Sequence, residues 1–490
     1  MYSWLLRNLI LPSVSTFTRS AFWEAYRDML RLEVRSWDEL QRLQWERFEV
    51  LLAHACQHVP FYRERLQSRG IEPADIRRFE DLLRIPPTTK DEVQANFPDR
   101  MTSAQASKGE LRYVSTSGTA NRLMVIHDFH KREMVRAAAL RSLSLSGGYR
   151  PGGRMVEIPP DVCSIVCGAE GESLDGVLPH LYRMVRHGEL GDEDAVSSLK
   201  GRVERNWVFR KKTYQPFGPQ GTSLSKEQLR GYVAALRRDR PQVLKALPTY
   251  LHEIARYVAR EGLEPIPVDV VKPMGASVSP AMRESIAAGF DGAYREDYGC
   301  AEFGDMACDC ARRDGLHVFS DLFLIEVVVG DRHAEPGELG RILVTDLSNL
   351  AMPMIRYAIG DVGRIRLDDH GCGRHSPRLW VEGRVEDALV DRGGEVYSSD
   401  RIMDFLYRRP EVAQFQVIET RAGCLDLLVV PRNGADLRAS GLAEAFGAFL
   451  GGGMDITLYP VKTIRPEASG KFRFVQSRSW GRLMEGERHA

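Results

Sequence analysis

Between residues 294 and 310 the chain reads YREDYGCAEFGDMACDC. It holds a tyrosine–glycine step at Tyr298–Gly299, a carboxylate at Glu302, and two thiols one residue apart at Cys308 and Cys310. A flat base can stack on the tyrosine ring while the glycine backbone approaches closely, and Glu302 can reach a divalent ion held on phosphates, since magnesium takes one or two carboxylates plus phosphate oxygens. The same stretch also reads as a strand end with a solvated acid and two thiols. Four other segments offer comparable chemistry. In 115-STSGT-119, hydroxyls and backbone amides around one glycine can wrap a phosphate, although the GK[ST] ending of a Walker loop is absent and the composition is also that of an ordinary loop. In 356-RYAIGDVG-363, Asp361 follows a glycine and can accept both hydroxyls of a ribose or simply close an Asx turn. The charged 383-GRVEDALVDRGGEV-396 has the glycine pair that suits a hinge or a plain linker. In 466-PEASGKFRF-474, Lys471 follows Ser-Gly on a loop and can carry its charge to a developing anion, or lie on a surface turn.

These residues need elements to position them. Ser36 and Glu39 fit a capping box, followed by Leu40, Leu43, Phe48, Leu51, Leu52 and Ala55 at near-helical spacing; the pattern predicts a helix ending near Pro60 within a helical module over 1–69. LRIPPT (84–89) reads as extended chain before a helix near Thr89. LMVIHD (123–128), VDVVKPMG (268–275), FLIEVVVG (323–330) and GRILVTDL (340–347) read as strands. Ser225 with Gln228, and Ser279 with Pro280, mark helix starts. The alternation predicts an α/β architecture: a large domain of mixed sheets packed with helices over 70–383, preceded by the helical module, and a small α+β C-terminal domain over 384–490.

At 490 residues the chain exceeds one ordinary core. Its 43% hydrophobic and 27% charged residues are those of a globular protein. Lys+Arg and Asp+Glu both number 67, which gives no global bias toward nucleic acid or anionic membrane. The opening MYSWLLRNLILPSV is broken by Arg7, Asn8 and Pro12, well short of the roughly 20 apolar residues of a membrane span. Eight cysteines without a framework spacing point to a reducing, cytoplasmic setting.

Taken in order, STSGT, YGCAE, YAIGD, GRVED and SGKFR, with WERFEVLLAHACQHVPFYRERL (45–66) and GLHVFSDLFLIEV (315–327), resemble the adenylate-forming superfamily of acyl-CoA ligases. The likeness is to its phenylacetate–CoA ligase branch, with that branch's capsule-biosynthesis and F390-synthetase-like members, and it covers most of the chain. It implies ATP-dependent activation of a carboxylic acid to an acyl-adenylate with release of pyrophosphate, then acyl transfer to coenzyme A, or instead to an amine or hydroxyl. A nucleotide-binding scaffold without turnover is the third reading. By position, Thr116, Ser117, Gly118 and Thr119 are implied to hold phosphate. Gly275, Ala276 and Ser277 would line the adenine, with Asp297, Tyr298 and Gly299 below it. Glu302 is implied for Mg²⁺, Asp361 for the ribose, Arg384 for the nucleotide, Glu386 for the pivot, and Lys471 for the bridge between carboxylate and α-phosphate. Two departures stand out: Ala120-Asn121-Arg122 replaces the family's Gly-x-Pro after the phosphate loop, and the pivot pair is Glu386-Asp387.

The branch also includes members with a structural Zn²⁺, held by an upstream Cys/His pair and a Cys-x-Cys pair. Here Cys308, Cys310 and His252 match, while Ala246 stands at the upstream cysteine. A fourth ligand is sought in Asp305, Asp309, His317 or Cys163, and free thiols are the alternative. Cys163, Cys167 and Cys372 otherwise read as plain thiols. The acid's pocket is expected from 155–250, where Trp207, Phe209, Tyr214 and Phe217 fit either an aromatic or chain-like guest or simple core.

Overall fold

In the computed structural model, residues 2–107, 111–115, 123–145, 147, 149–159, 177–187, 199, 201–214, 225–276, 278–391, 395–464 and 473–477 are described. The chain divides into two compact units: Met1–Val34, Phe129–Ala276 and Ser285–Asp314 in the first; Arg35–Asp128, Ser277–Glu284 and Gly315–Ala490 in the second.

The first unit is built on a parallel sheet in the order Lys211–Thr213, Met155–Ile158, Val243–Ala246, Ile266–Pro273, Phe290–Tyr294. Its strands run apolar on both faces, as parallel strands covered by helices do; Val268, Val270 and Val271 are all buried. The helix Lys226–Asp239 starts where the sequence places it, with Ser225 and Gln228 closing a capping box. The helix Phe22–Leu32 packs on Phe129–Leu145 through Tyr26 and Ser144, whose hydroxyls lie 2.9 Å apart, and through the buried pair Glu33–Arg141. An antiparallel hairpin, Asp297–Cys300 with Gly304–Cys308, completes the part that concerns the site.

The second unit carries an antiparallel sheet in the order Arg332–His333, Phe323–Val329, Gly340–Asp346, Tyr357–Arg366, Arg378–Arg384, Leu316–Val318. The helix Trp37–His58 starts at the predicted capping box of Ser36 and Glu39. It rests on this sheet, and Gln44 donates to the Phe323 carbonyl at 2.8 Å. It stops at His58, but Pro60 then occupies the first turn of a further helix, Pro60–Gln67, because a proline lacks only an amide that this position would leave unpaired. Thr89 caps Lys90–Asn96 in the same way as Ser36. The C-terminal part has its own mixed sheet, ordered Asp455–Pro460, Cys424–Pro431, Val412–Arg421, Val475–Gln476. Helices Ser399–Tyr407 and Leu442–Phe449 cover it around Phe415, Val417, Leu427, Val429 and Phe446. The α/β architecture with a small α+β C-terminal region is therefore present. No described helix is long and apolar enough to cross a membrane.

Candidate active site

The first unit gathers the Tyr-Gly motif on one hairpin. Tyr298 pairs with Ala307, and the register then shifts so that Gly299 faces Asp305, a bulge that re-aims the strand. A Cβ on Gly299 would stand 2.5 Å from the Gly304 carbonyl oxygen, so only glycine lets the strands approach this closely. Glu302 sits in the turn, mostly buried, and is hydrogen-bonded to the Cys300 thiol. Burial first, and then the Glu302 charge, push that thiol well above its ordinary range. Gly275 follows the strand Ile266–Pro273 with φ +79°, and Ala276 is exposed beside it.

Asp297 opens the same strand but points its carboxylate into the protein. Oδ2 takes Lys272 Nζ at 2.9 Å and the Ser142 hydroxyl at 3.2 Å, Lys272 also donates to Ser142 at 2.9 Å, and Lys245 Nζ lies 4.0 Å away. Lys272 is wholly buried. Burial raises the Asp297 pKa, but Lys272 and Lys245 outweigh it and hold the group below the usual carboxylate value. Asp305 shares this pocket, and there burial and the Asp297 charge win, so its carboxyl is raised. The sequence reading missed Ser142, Lys245 and Lys272, and weighed Asp305 only as a metal ligand. The available signal was a lysine inside VDVVKP, an otherwise apolar strand, because such a charge must find a partner when buried.

In the second unit Asp361 and Arg384 face each other across the strands Tyr357–Arg366 and Arg378–Arg384. Arg384 Nε is 3.5 Å from Asp361 Oδ1, and its Nη2 donates to the Ile359 carbonyl at 3.2 Å. The Arg384 side chain is 52% exposed, which leaves the guanidinium open to an arriving anion. Gly360 needs its φ of +86°, and a Cβ there would meet Arg384 Nη2 at 3.1 Å. The strand is anchored at its start by Arg356, another residue the sequence reading passed over. Arg356 is buried at φ +49°, with Nε 2.9 Å from Glu326 Oε2 and its guanidinium also on the Ile85 carbonyl.

Beyond Arg384, Asp387 accepts Arg473 Nε at 2.6 Å, which ties the chain two residues after Lys471 to the segment that follows Arg384. Thr116, Ser117, Gly118, Thr119, Ser277 and Lys471 lie outside the described residues, as do Ala120, Asn121, Arg122, Cys163, Cys167, Phe217 and the side chain of Glu386. On either side of residues 116–122, the strands Arg112–Ser115 and Met124–His127 pair antiparallel, with Ser115 opposite Met124. Tyr214 is buried and donates to Asp239 at 2.6 Å, which fits its core reading. The metal ligands are gathered differently from the expectation. His252 on the helix Pro248–Arg260, and Cys308 ending its strand, join no ligand group among the described residues. His317, His370 and Cys372 do, their ligand atoms lying within 4.8 Å of one another.

No family model matches the chain. It is 27% identical over 405 residues to a phenylacetate–coenzyme A ligase of Thermus thermophilus, covering 81% of each chain. Protein CapK of Staphylococcus aureus is 21% identical over 343 residues, or 69% of this chain and 65% of that one. Among solved structures, 2-hydroxyisobutyryl-CoA ligase in its postadenylation state superposes with a TM-score of 0.68 at 20% identity, over 92% of both chains. The fold is thus that of the adenylate-forming ligases. Within them the chain is similar in sequence to the phenylacetate–CoA ligases.

Proposed function

We propose that the chain activates a carboxylic acid with ATP and transfers the acyl group to coenzyme A. The acid's carboxylate oxygen attacks the α-phosphorus, the bond to the β-phosphate breaks, and pyrophosphate leaves with an acyl-adenylate formed. The thiolate of coenzyme A then attacks the acyl carbon and AMP leaves. The observation that carries this reading is the Asp361–Arg384 pair. It presents an acceptor for ribose hydroxyls beside a cation that is half exposed, on a strand anchored by Arg356.

The other roles follow the motif positions. Thr116, Ser117, Gly118 and Thr119 hold phosphate. Gly275, Ala276 and Ser277 lie along the adenine, with the strand Asp297–Gly299 contributing the Tyr298 ring and a close backbone rather than the Asp297 carboxylate, which Lys272 occupies. Glu302 fits a magnesium ion, since a single carboxylate suffices for an ion that keeps phosphate oxygens and waters; when bound, the ion neutralises phosphate charge. Lys471 lies two residues before Arg473, within about 7 Å along the chain, and brings its ammonium between the attacking carboxylate and the α-phosphate. Two anions must meet in that step, and a cation in a dry site offsets their repulsion. Residues 384–490 act as the small moving domain on 70–383, pivoting at Glu386.

The test is carboxylate-dependent exchange of pyrophosphate into ATP over a panel of aryl and acyl acids, followed by addition of coenzyme A. Exchange with a thioester product supports the reading. Exchange without thioester moves the acceptor to an amine or hydroxyl, and no exchange with any acid leaves a nucleotide-binding scaffold.

A further inference from the structure

The strands Tyr357–Arg366 and Arg378–Arg384 are joined by the segment 367-LDDHGCGRHSP-377. Its base is tied by Arg378 Nη2 on Asp368 Oδ1 at 2.6 Å, and Asp369 accepts the Gly371 amide at 2.7 Å. Gly371 and Gly373, at φ +69° and +80°, flank Cys372 on both sides. A left-handed residue on each side of it lets the loop turn its thiol back toward the sheet. What Cys372 meets there is His317, on the adjoining strand Leu316–Val318 and paired in register with Arg378. Cys372 Sγ lies 3.3 Å from His317 Nε2, and the His317 and His370 rings are 5.0 Å apart.

We propose that this is a zinc site with His317, His370 and Cys372 as ligands, their ligand atoms within 4.8 Å of one another. One thiolate and two imidazoles are ligands that zinc takes in tetrahedral sites, with the fourth position taken by a further donor. Zn–S and Zn–N bonds of about 2.3 and 2.05 Å imply a tetrahedral S···N edge of about 3.6 Å, close to the 3.3 Å observed. Ser376 Oγ stands 3.5 Å from His317 Nδ1. A proton on Nδ1 turned to that hydroxyl leaves the Nε2 lone pair facing Cys372, the second-shell arrangement of a ligating histidine. The loop is the far end of the hairpin whose other end holds Asp361 and Arg384. Arg366 pairs with Arg378 here, and five residues separate it from Asp361, about 17 Å of strand. The ion therefore staples the hairpin and takes no part at the nucleotide end.

Metal content of the purified full chain, by elemental analysis without chelator, tests the assignment. About one zinc per chain is expected in the wild type and in His252→Ala and Cys308→Ser, with at least a tenfold loss in Cys372→Ser and His370→Ala. Cobalt substitution of the wild type is expected to give tetrahedral ligand-field and thiolate-to-metal charge-transfer bands, a readout independent of how the variants fold. A wild type free of zinc and unable to take cobalt would overturn the site. Zinc lost in His252→Ala and Cys308→Ser but kept in Cys372→Ser and His370→Ala would overturn it equally, by assigning the other ligand set.

Discussion

Asp297 and Asp361 are both aspartates on strands that carry nucleotide-type motifs, and they meet opposite surroundings. Asp297 is enclosed with Lys272, Lys245 and Ser142, whereas Asp361 faces an arginine that is half in solvent. A buried carboxylate with a dedicated ammonium is committed to the fold, because removing one member strands the other in low dielectric. A carboxylate beside an exposed guanidinium adds little to stability and stays available to a ligand. The motif letters alone do not separate these two roles, but burial does.

Three substitutions sharpen or break that contrast. Asp297→Ala leaves Lys272 buried without its carboxylate and is expected to destabilise by about 3–5 kcal/mol, read by denaturant unfolding; a loss below about 1 kcal/mol would place Asp297 with the open carboxylate instead. Asp361→Ala is expected to leave unfolding unchanged within about 1 kcal/mol but to weaken AMP binding by calorimetry by roughly 1.5–3 kcal/mol, the range for hydrogen bonds to a charged group. Asp305→Asn should give the smallest change. Burial and Asp297 raise its carboxyl, so the folded state holds that proton more tightly, and its penalty appears as pH rises through the raised value. At pH 7 the variant is expected to be neutral or more stable by about 1 kcal/mol, with the gap closing toward acid. Asp297 has the reverse sign. Its lowered value gives a contribution that is present above the usual carboxylate range and is lost as pH falls through the folded value.

The sequence revealed the strands at VDVVKP, FLIEVVV and GRILVTD and the helix starts at Ser36, Thr89 and Ser225, because these follow from local periodicity and capping chemistry. It also made Asp361 and Arg384 visible as separate motif members, though not as neighbours across two strands. Lys272 and Arg356 went unread as anchors because their partners, Asp297 and Glu326, are brought to them by sheet packing rather than by spacing. The two embedded charges do share a signal. Lys272 interrupts VDVVKP, and Glu326 interrupts FLIEVVV. His370 went unread, Cys372 was read as a plain thiol and His317 only as one of four candidate fourth ligands, since His317 and Cys372 lie 55 residues apart and meet only through strand pairing.

The central claim is that the chain forms an acyl-adenylate with Lys471 as the bridging cation. Pyrophosphate exchange at saturating acid, compared between wild type and Lys471→Ala with matched unfolding curves, tests it most directly. The account predicts robust exchange in the wild type and a loss on the order of 100-fold or more in the variant. Exchange undiminished in Lys471→Ala would contradict it.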